Sequence, residues 1–313
     1  MLPTALVYST HDRSNYIHND WIVQRALAGN KHILFLPMSE GTPNSEGLGR
    51  QEWSWGNFEW FFNFYKGHGL QAYPFFWRNE LSQDDVAWCF EQMSNVEVLI
   101  LGGGNPAQGL RRYIALGELY FNDASIFPRI LHDRQERGLL TVGFSAGVDQ
   151  LCEYMTEAID YNTDTSKGFG LCRNIMAFSH FEHGAQDDQL YRGAQKFGHC
   201  MCFALPNDSG LAVNQGITPG GNVWQYIQFI TDNSWDEPKD AFHIKTRQGL
   251  KIQHTYADGR NWAFNGGDAM VRIQSWDNCY SEAFVLMPNA PIFDYWEQAP
   301  TGYSNIGEII GSH

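Results

Sequence analysis

Leu139-Leu140-Thr141-Val142-Gly143-Phe144-Ser145-Ala146-Gly147-Val148-Asp149-Gln150-Leu151 is the stretch on which the reading of the fold turns. Its aliphatic start predicts a buried strand over 139–142, and the residues after the turn predict a helix over 146–155. Between them stands Gly-x-Ser-x-Gly, residues 143–147. A strand that passes straight into a helix through this motif is the context of a nucleophile elbow. Such a turn is too tight for bulky flanking residues, and it pushes the Ser145 hydroxyl out above the C-terminal edge of the sheet. The amide of Ala146 then points to where an oxyanion would form.

Working outward, the apolar runs 5–8, 32–36 and 96–101 predict further strands. The run 71–76 contains Pro74, which cannot donate to a ladder, and is expected at a sheet edge. Helix-period segments at 57–66, 83–94, 107–117 and 123–137 lie between these runs. The alternation predicts an α/β protein, with a mostly parallel sheet and helices on both faces. From about residue 216 the pattern changes. Pro219-Gly220-Gly221, Asp258-Gly259 and Gly266-Gly267 separate short alternating runs, as in β-hairpins. The expected division is therefore an α/β core over 1–215 and a β-rich C-terminal extension over 216–313, within the same domain.

Composition narrows the function classes. The 313 residues are 43% hydrophobic and 18% charged, which excludes a disordered chain. A formal charge of −14 would repel nucleic acid and anionic membranes, so neither is an expected partner. No stretch approaches the apolar length of a membrane helix, and the start lacks the basic region of a signal peptide. Six scattered cysteines suit a reducing compartment, and a cytoplasmic location is expected. The aromatic segment around Trp53, Trp55, Phe58, Trp60, Phe61, Phe62, Phe64 and Tyr65 is read as core or homodimer packing. Ser54, Gly56, Asn57, Glu59 and Asn63 interleave it, where a base-stacking platform would carry lysines and arginines.

A second glycine turn, Gly102-Gly103-Gly104-Asn105-Pro106, follows the strand 96–101. Asn105 can cap the next helix, with Pro106 at its first position. With Ala107 the turn also matches a dinucleotide fingerprint, with Asp123 as the ribose acid. That match is weak, because it follows the fourth strand and Asp123 falls in a loop. A nucleophilic serine needs a base and an orienting group. Among eleven histidines, His180 ends a short apolar run, where a later strand of the same sheet would deliver it to the site. His180 and His183 lack a third metal ligand, so no metal is expected.

Taken together, 99–105, 143–147 and Ser179-His180-Phe181 resemble the dipeptidase E and cyanophycinase family of serine peptidases. The motifs occur in the same order, with 41 residues from Gly104 to Ser145 and 35 from Ser145 to His180. The resemblance covers roughly residues 1–215. It implies a class I glutamine amidotransferase-like fold, no cofactor, and a small peptide with an aspartyl or isoaspartyl residue as substrate. Ser145 would be the nucleophile and His180 the base. Ala146 and Gly103 or Gly104 would form the oxyanion hole. The family's glutamate after the histidine corresponds to Asp208, one methylene shorter, with Asp160 the next candidate. Asn105 and Arg192 are the expected substrate contacts, with Arg111 and Arg112 weaker ones.

This sequence departs from the family after His180, where Glu182, Asp187 and Asp188 would repel an acidic substrate. Two alternatives stay open. One is an α/β-hydrolase esterase, whose chain order would require His243, His254 or His313 as base. The other is a catalytically silent binding protein.

Overall fold

In the first strand, β1 (Ala5–Ser9), Ala5 and Val7 enter one apolar core while Leu6 and Tyr8 enter another. That period of two, apolar on both sides, is the signature of a strand covered on both faces. The structure, a computed structural model, describes residues 1–10, 16–41, 47–161, 167–232 and 250–313.

Four further strands lie parallel to β1: β2 (His32–Leu36), β3 (Gln71–Pro74), β4 (Val98–Leu101) and β5 (Leu140–Phe144). Their order is β1-β5-β4-β2-β3, with the proline-containing β3 at the edge as expected. One face is covered by α1 (Gln24–Ala28), which continues a π-helical stretch Ile17–Val23, and by α2 (Leu48–Asn63). The other is covered by α3 (Gln83–Asn95), α4 (Pro106–Phe121), α5 (Ile126–Glu136) and α6 (Ala146–Leu151).

Two helices differ from expectation. Of the segment 57–66, only 57–63 is helical here, as the second half of α2, which starts at Leu48 and ends at Asn63, with Trp55, Phe58, Phe61 and Phe62 sharing one buried face. Trp53, Trp60 and Phe64 remain exposed on the other. The helix expected over 146–155 stops at Leu151, because Cys152 turns to extended backbone and its main chain pairs with that of Cys172 in an isolated parallel β-bridge, both thiols staying free of a disulfide.

A second sheet begins with β6 (Ile175–Ser179), which α7 (Asp187–Lys196) connects to the parallel β7 (Met201–Leu205). The chain then re-enters the main sheet with β8 (Ser209–Ile217), antiparallel to β1, and β9 (Val223–Thr231). The hairpin of β10 (Ile252–Thr255) and β11 (Asn261–Phe264) adds to the second sheet, in the order β11-β10-β7-β6. Next, β12 (Ala269–Gln274), β13 (Ser281–Leu286) and β14 (Phe293–Asp294) extend the main sheet to ten strands among the described residues. The turns at Pro219-Gly220-Gly221 and Asp258-Gly259 close hairpins as expected. Gly266-Gly267 closes none, because it carries the chain from β11 in the second sheet to β12 in the main sheet; the C-terminal strands thus join both sheets. Residue 215 lies inside β8.

One face of the second sheet packs on the antiparallel half of the main sheet, where Phe203 meets Phe229 and Phe229 stacks on Phe264 at 3.8 Å. Arg272 of β12 also links the sheets. Its guanidinium donates to the carbonyls of Asn174 (2.9 Å) and His199 (2.7 Å), just before β6 and β7. After β14 the chain closes with α8 (Ile306–Ser312). Among the described residues no helix is long and apolar enough to cross a membrane.

Candidate active site

Ser145 is the single residue between β5 and α6, and it holds φ 53° and ψ −108°. A non-glycine residue there is strained, and the glycines on either side show what imposes the strain. A Cβ on Gly143 would lie 2.2 Å from the carbonyl oxygen of Gly147. One on Gly147 would lie 2.4 Å from that of Leu101 in β4. Only glycine lets the turn close this tightly, and closure leaves the Ser145 hydroxyl at the strand ends.

The glycine loop after β4 lies alongside. A Cβ on Gly103 would be 3.3 Å from Cβ of Ser145, so this loop borders Ser145 directly. Gly104, at φ 122°, packs on the carbonyl of Ser39, which also accepts from the amide of Asn105 at 2.8 Å. Asn105 Oδ1 caps α4 by accepting from the amide of Gln108 at 2.8 Å. No atom of the described residues accepts from the amides of Gly103, Gly104 or Ala146. Donors left over beside a nucleophile are what an oxyanion hole requires.

His180 follows β6, and its Nε2 accepts from the Ser145 hydroxyl at 2.8 Å. It was expected from a later strand of the same sheet. It arrives instead from the second sheet, because β6 pairs with β7 and not with the main sheet. The site is thus assembled across the two sheets, from the C-terminal ends of β1, β5, β6 and β7.

The group on the other ring nitrogen also differs from expectation. Nδ1 of His180 donates to Oδ1 of Asn207 at 2.6 Å. Asp208, expected there, is buried at φ 63° and its Oδ1 accepts from the Thr10 hydroxyl. Asp160, the second choice, accepts from Arg192 at 2.6 Å. Arg192 also donates to Asp188 at 3.0 Å, so two carboxylates already offset the cation expected to bind substrate. Arg112 donates to the carbonyls of Met38 and Glu40, each at 2.8 Å, and braces the segment under the glycine loop.

The alternative bases lie elsewhere. His254 is buried in the second sheet against Tyr295, where burial pushes its pKa down to about 3. His313 is tied to Glu282 at 2.8 Å, and His243 lies outside the described residues.

Asn207 and Ser9 were not singled out in the sequence. Asn207 had a signal, since it directly precedes Asp208 in the segment expected to face His180. Ser9 had none. Its hydroxyl donates to Asn207 Oδ1 at 3.1 Å and accepts from the backbone amide of His180 at 2.7 Å, 171 residues along the chain.

Fold and site together define an α/β protein with a Ser-His-Asn arrangement at the ends of its strands. No protein-family model matches the chain, and no curated protein matches it. Among solved structures, a peptidase from an acI-B1 Actinobacterium is similar, with a TM-score of 0.56 and 14% identity. The match covers 86% of this chain and 96% of that one, and the likeness is one of fold. A structure described as a Peptidase E protein from Listeria monocytogenes EGD-e matches with a TM-score of 0.44 and 12% identity, over 67% of this chain and 94% of that one.

Proposed function

We propose that the protein is a serine peptidase of the dipeptidase E-like kind, with a class I glutamine amidotransferase-like fold. The observation that carries the reading is Ser145 on a strained elbow, 2.8 Å from Nε2 of a histidine whose Nδ1 is itself held at 2.6 Å. Ser145 Oγ attacks the scissile carbonyl carbon while its proton passes to His180 Nε2. The amides of Ala146 and the Gly103-Gly104 loop hold the resulting oxyanion. The C–N bond breaks as His180 returns the proton to the leaving amine. Water, deprotonated by the same nitrogen, then releases the acyl group and restores Ser145.

The preferred substrate is a small peptide with an aspartyl or isoaspartyl residue, a preference that rests on the motif resemblance. The paired state of Arg192 means that an acidic side chain must displace Asp160 or Asp188, or find another donor. The test is hydrolysis of aspartyl-X dipeptides and of β-aspartyl-arginine, with Ser145→Ala as control and fluorophosphonate labelling of Ser145 in parallel. Cleavage and labelling, both lost in the variant, are expected. Labelling without cleavage of either peptide would overturn the substrate class. Absence of both would leave a silent binding protein.

A further inference from the structure

We propose that Ser9 is a positioning residue that makes Asn207 present its oxygen, rather than its amino group, to His180. The proposal rests on the reading of Ser145 and His180 given above. A carboxylate offers an acceptor whichever way it turns, whereas a primary amide has an acceptor on one side and two donors on the other. With its oxygen inward, Asn207 accepts from Nδ1–H and leaves the Nε2 lone pair facing Ser145. With its amino group inward it donates to Nδ1, the ring proton moves to Nε2, and the Ser145 hydroxyl loses its acceptor. That tautomer is costly: exchanging the acid of a Ser-His-Asp triad for an amide lowers kcat by roughly 10⁴. An asparagine in this place works only if its orientation is chosen for it.

The Ser9 hydroxyl makes the choice. It accepts from the backbone amide of His180 at 2.7 Å, so its own proton must be given elsewhere. Among the described residues, the acceptors within reach are Asn207 Oδ1 at 3.1 Å and His180 Nδ1 at 3.3 Å. With the oxygen inward, Oδ1 receives Ser9 and Nδ1–H, one for each lone pair. With the amino group inward, Ser9 and Asn207 would compete for the single lone pair of Nδ1. The 2.6 Å separation from Nδ1 to Asn207 also suits an N–H···O bond better than an N–H···N one. Ser9 is fully buried, so solvent does not take over its part. The outer side of the amide contributes nothing to the choice, because Nδ2 is buried with no partner among the described residues.

The experiment compares Ser9→Ala, Asn207→Asp and the double variant by steady-state kinetics. It also reads the imidazole ¹⁵N shifts of His180 in the native protein and in Ser9→Ala. Ser9→Ala is expected to lower kcat about tenfold or more with little change in KM, as the wrong tautomer becomes populated. Its ¹⁵N pattern moves from Nδ1-protonated towards Nε2-protonated. In the Asn207→Asp background either carboxylate oxygen accepts, so the same change costs less than about threefold. Equal losses in the two backgrounds, as general destabilisation would produce, overturn the proposal, and so does an unchanged tautomer in Ser9→Ala. If the native protein neither turns over peptides nor labels at Ser145, the hydrolase reading fails, and the ¹⁵N pattern still decides the role of Ser9.

Discussion

An amide where most serine hydrolases place a carboxylate changes what His180 can do. Asn207 orients the ring but brings no charge to stabilise the imidazolium that forms when Ser145 gives up its proton. Asn207→Asp adds that charge, and an adjacent anion favours the protonated ring. The pKa of His180 should rise, and the acid limb of the kcat/KM profile should move to higher pH with it. A pH–rate comparison of the two proteins checks this, and an unmoved limb would mean that residue 207 does not sense the ring. If Ser145 is the nucleophile as proposed, Ser145→Ala should lower kcat by about 10⁴ or more while leaving the fold intact. Thermal midpoints measured beside the kinetics separate the two effects.

At the scale of elements, the elbow is legible because its glycines are obligatory. Gly147→Ala would drive a methyl against the Leu101 carbonyl, where the built contact is 2.4 Å. Since α6 cannot retreat from β4, a loss of about 3 kcal/mol is expected in denaturant unfolding. Gly103→Ala is different, with contacts of 3.2 and 3.3 Å to Phe144 and Ser145 side chains that can give slightly. Its effect should appear in kcat, by roughly 10²-fold if one oxyanion donor is displaced, with little loss of stability. Helix α6 also carries Asp149, whose burial raises its pKa to about 6 despite bonds from the Thr156 amide and hydroxyl. The folded state therefore holds this proton more tightly than the unfolded chain does, and stability falls as pH rises from about 4 to about 6. Asp149→Asn removes the ionisation, so the variant should gain stability relative to the native protein across that window, by as much as about 3 kcal/mol above it. Equal stability differences at pH 4 and pH 7.5 would contradict this account.

Across the whole molecule, the proposed catalysis depends on two sheets holding station. Ser9 ends and Ser145 follows strands of the main sheet, while His180 and Asn207 follow strands of the second. Arg272 ties the two by bonding the carbonyls that lead into β6 and β7, in a site so buried that its pKa falls to about 10. Arg272→Met should cost about 3–5 kcal/mol in stability, since two buried carbonyls lose their donors and the packing of Phe203 on Phe229 loosens. It should also lower kcat more than it raises KM, because it disturbs the distance from Ser145 to His180 and not substrate contacts. Kinetics at a temperature where the variant stays folded would show the split.

The parallel core and the elbow could be read from residues near one another in the chain. Strand runs, flanking glycines and the cap at Asn105 are local preferences that the tertiary structure then respected, since each backbone position allows few alternatives. The pairing of Ser145 with His180 was foreseen for the same reason, since both stand in short motifs at the ends of apolar runs. Which sheet carries His180 was not, because pairing of β6 with β7 depends on how the second sheet, through Phe203 and Phe264, buries itself against Phe229 of the main sheet. The choice of Asn207 over Asp208 was hidden too. Adjacent residues point in opposite directions, and which one meets Nδ1 depends on the backbone turn at φ 63° on Asp208. Ser9 and the pairing of Asp160 with Arg192 join groups 171 and 32 residues apart, through side-chain bonds that leave no periodicity or spacing in the chain. Local chemistry chose the reacting groups, and long-range packing chose what holds them.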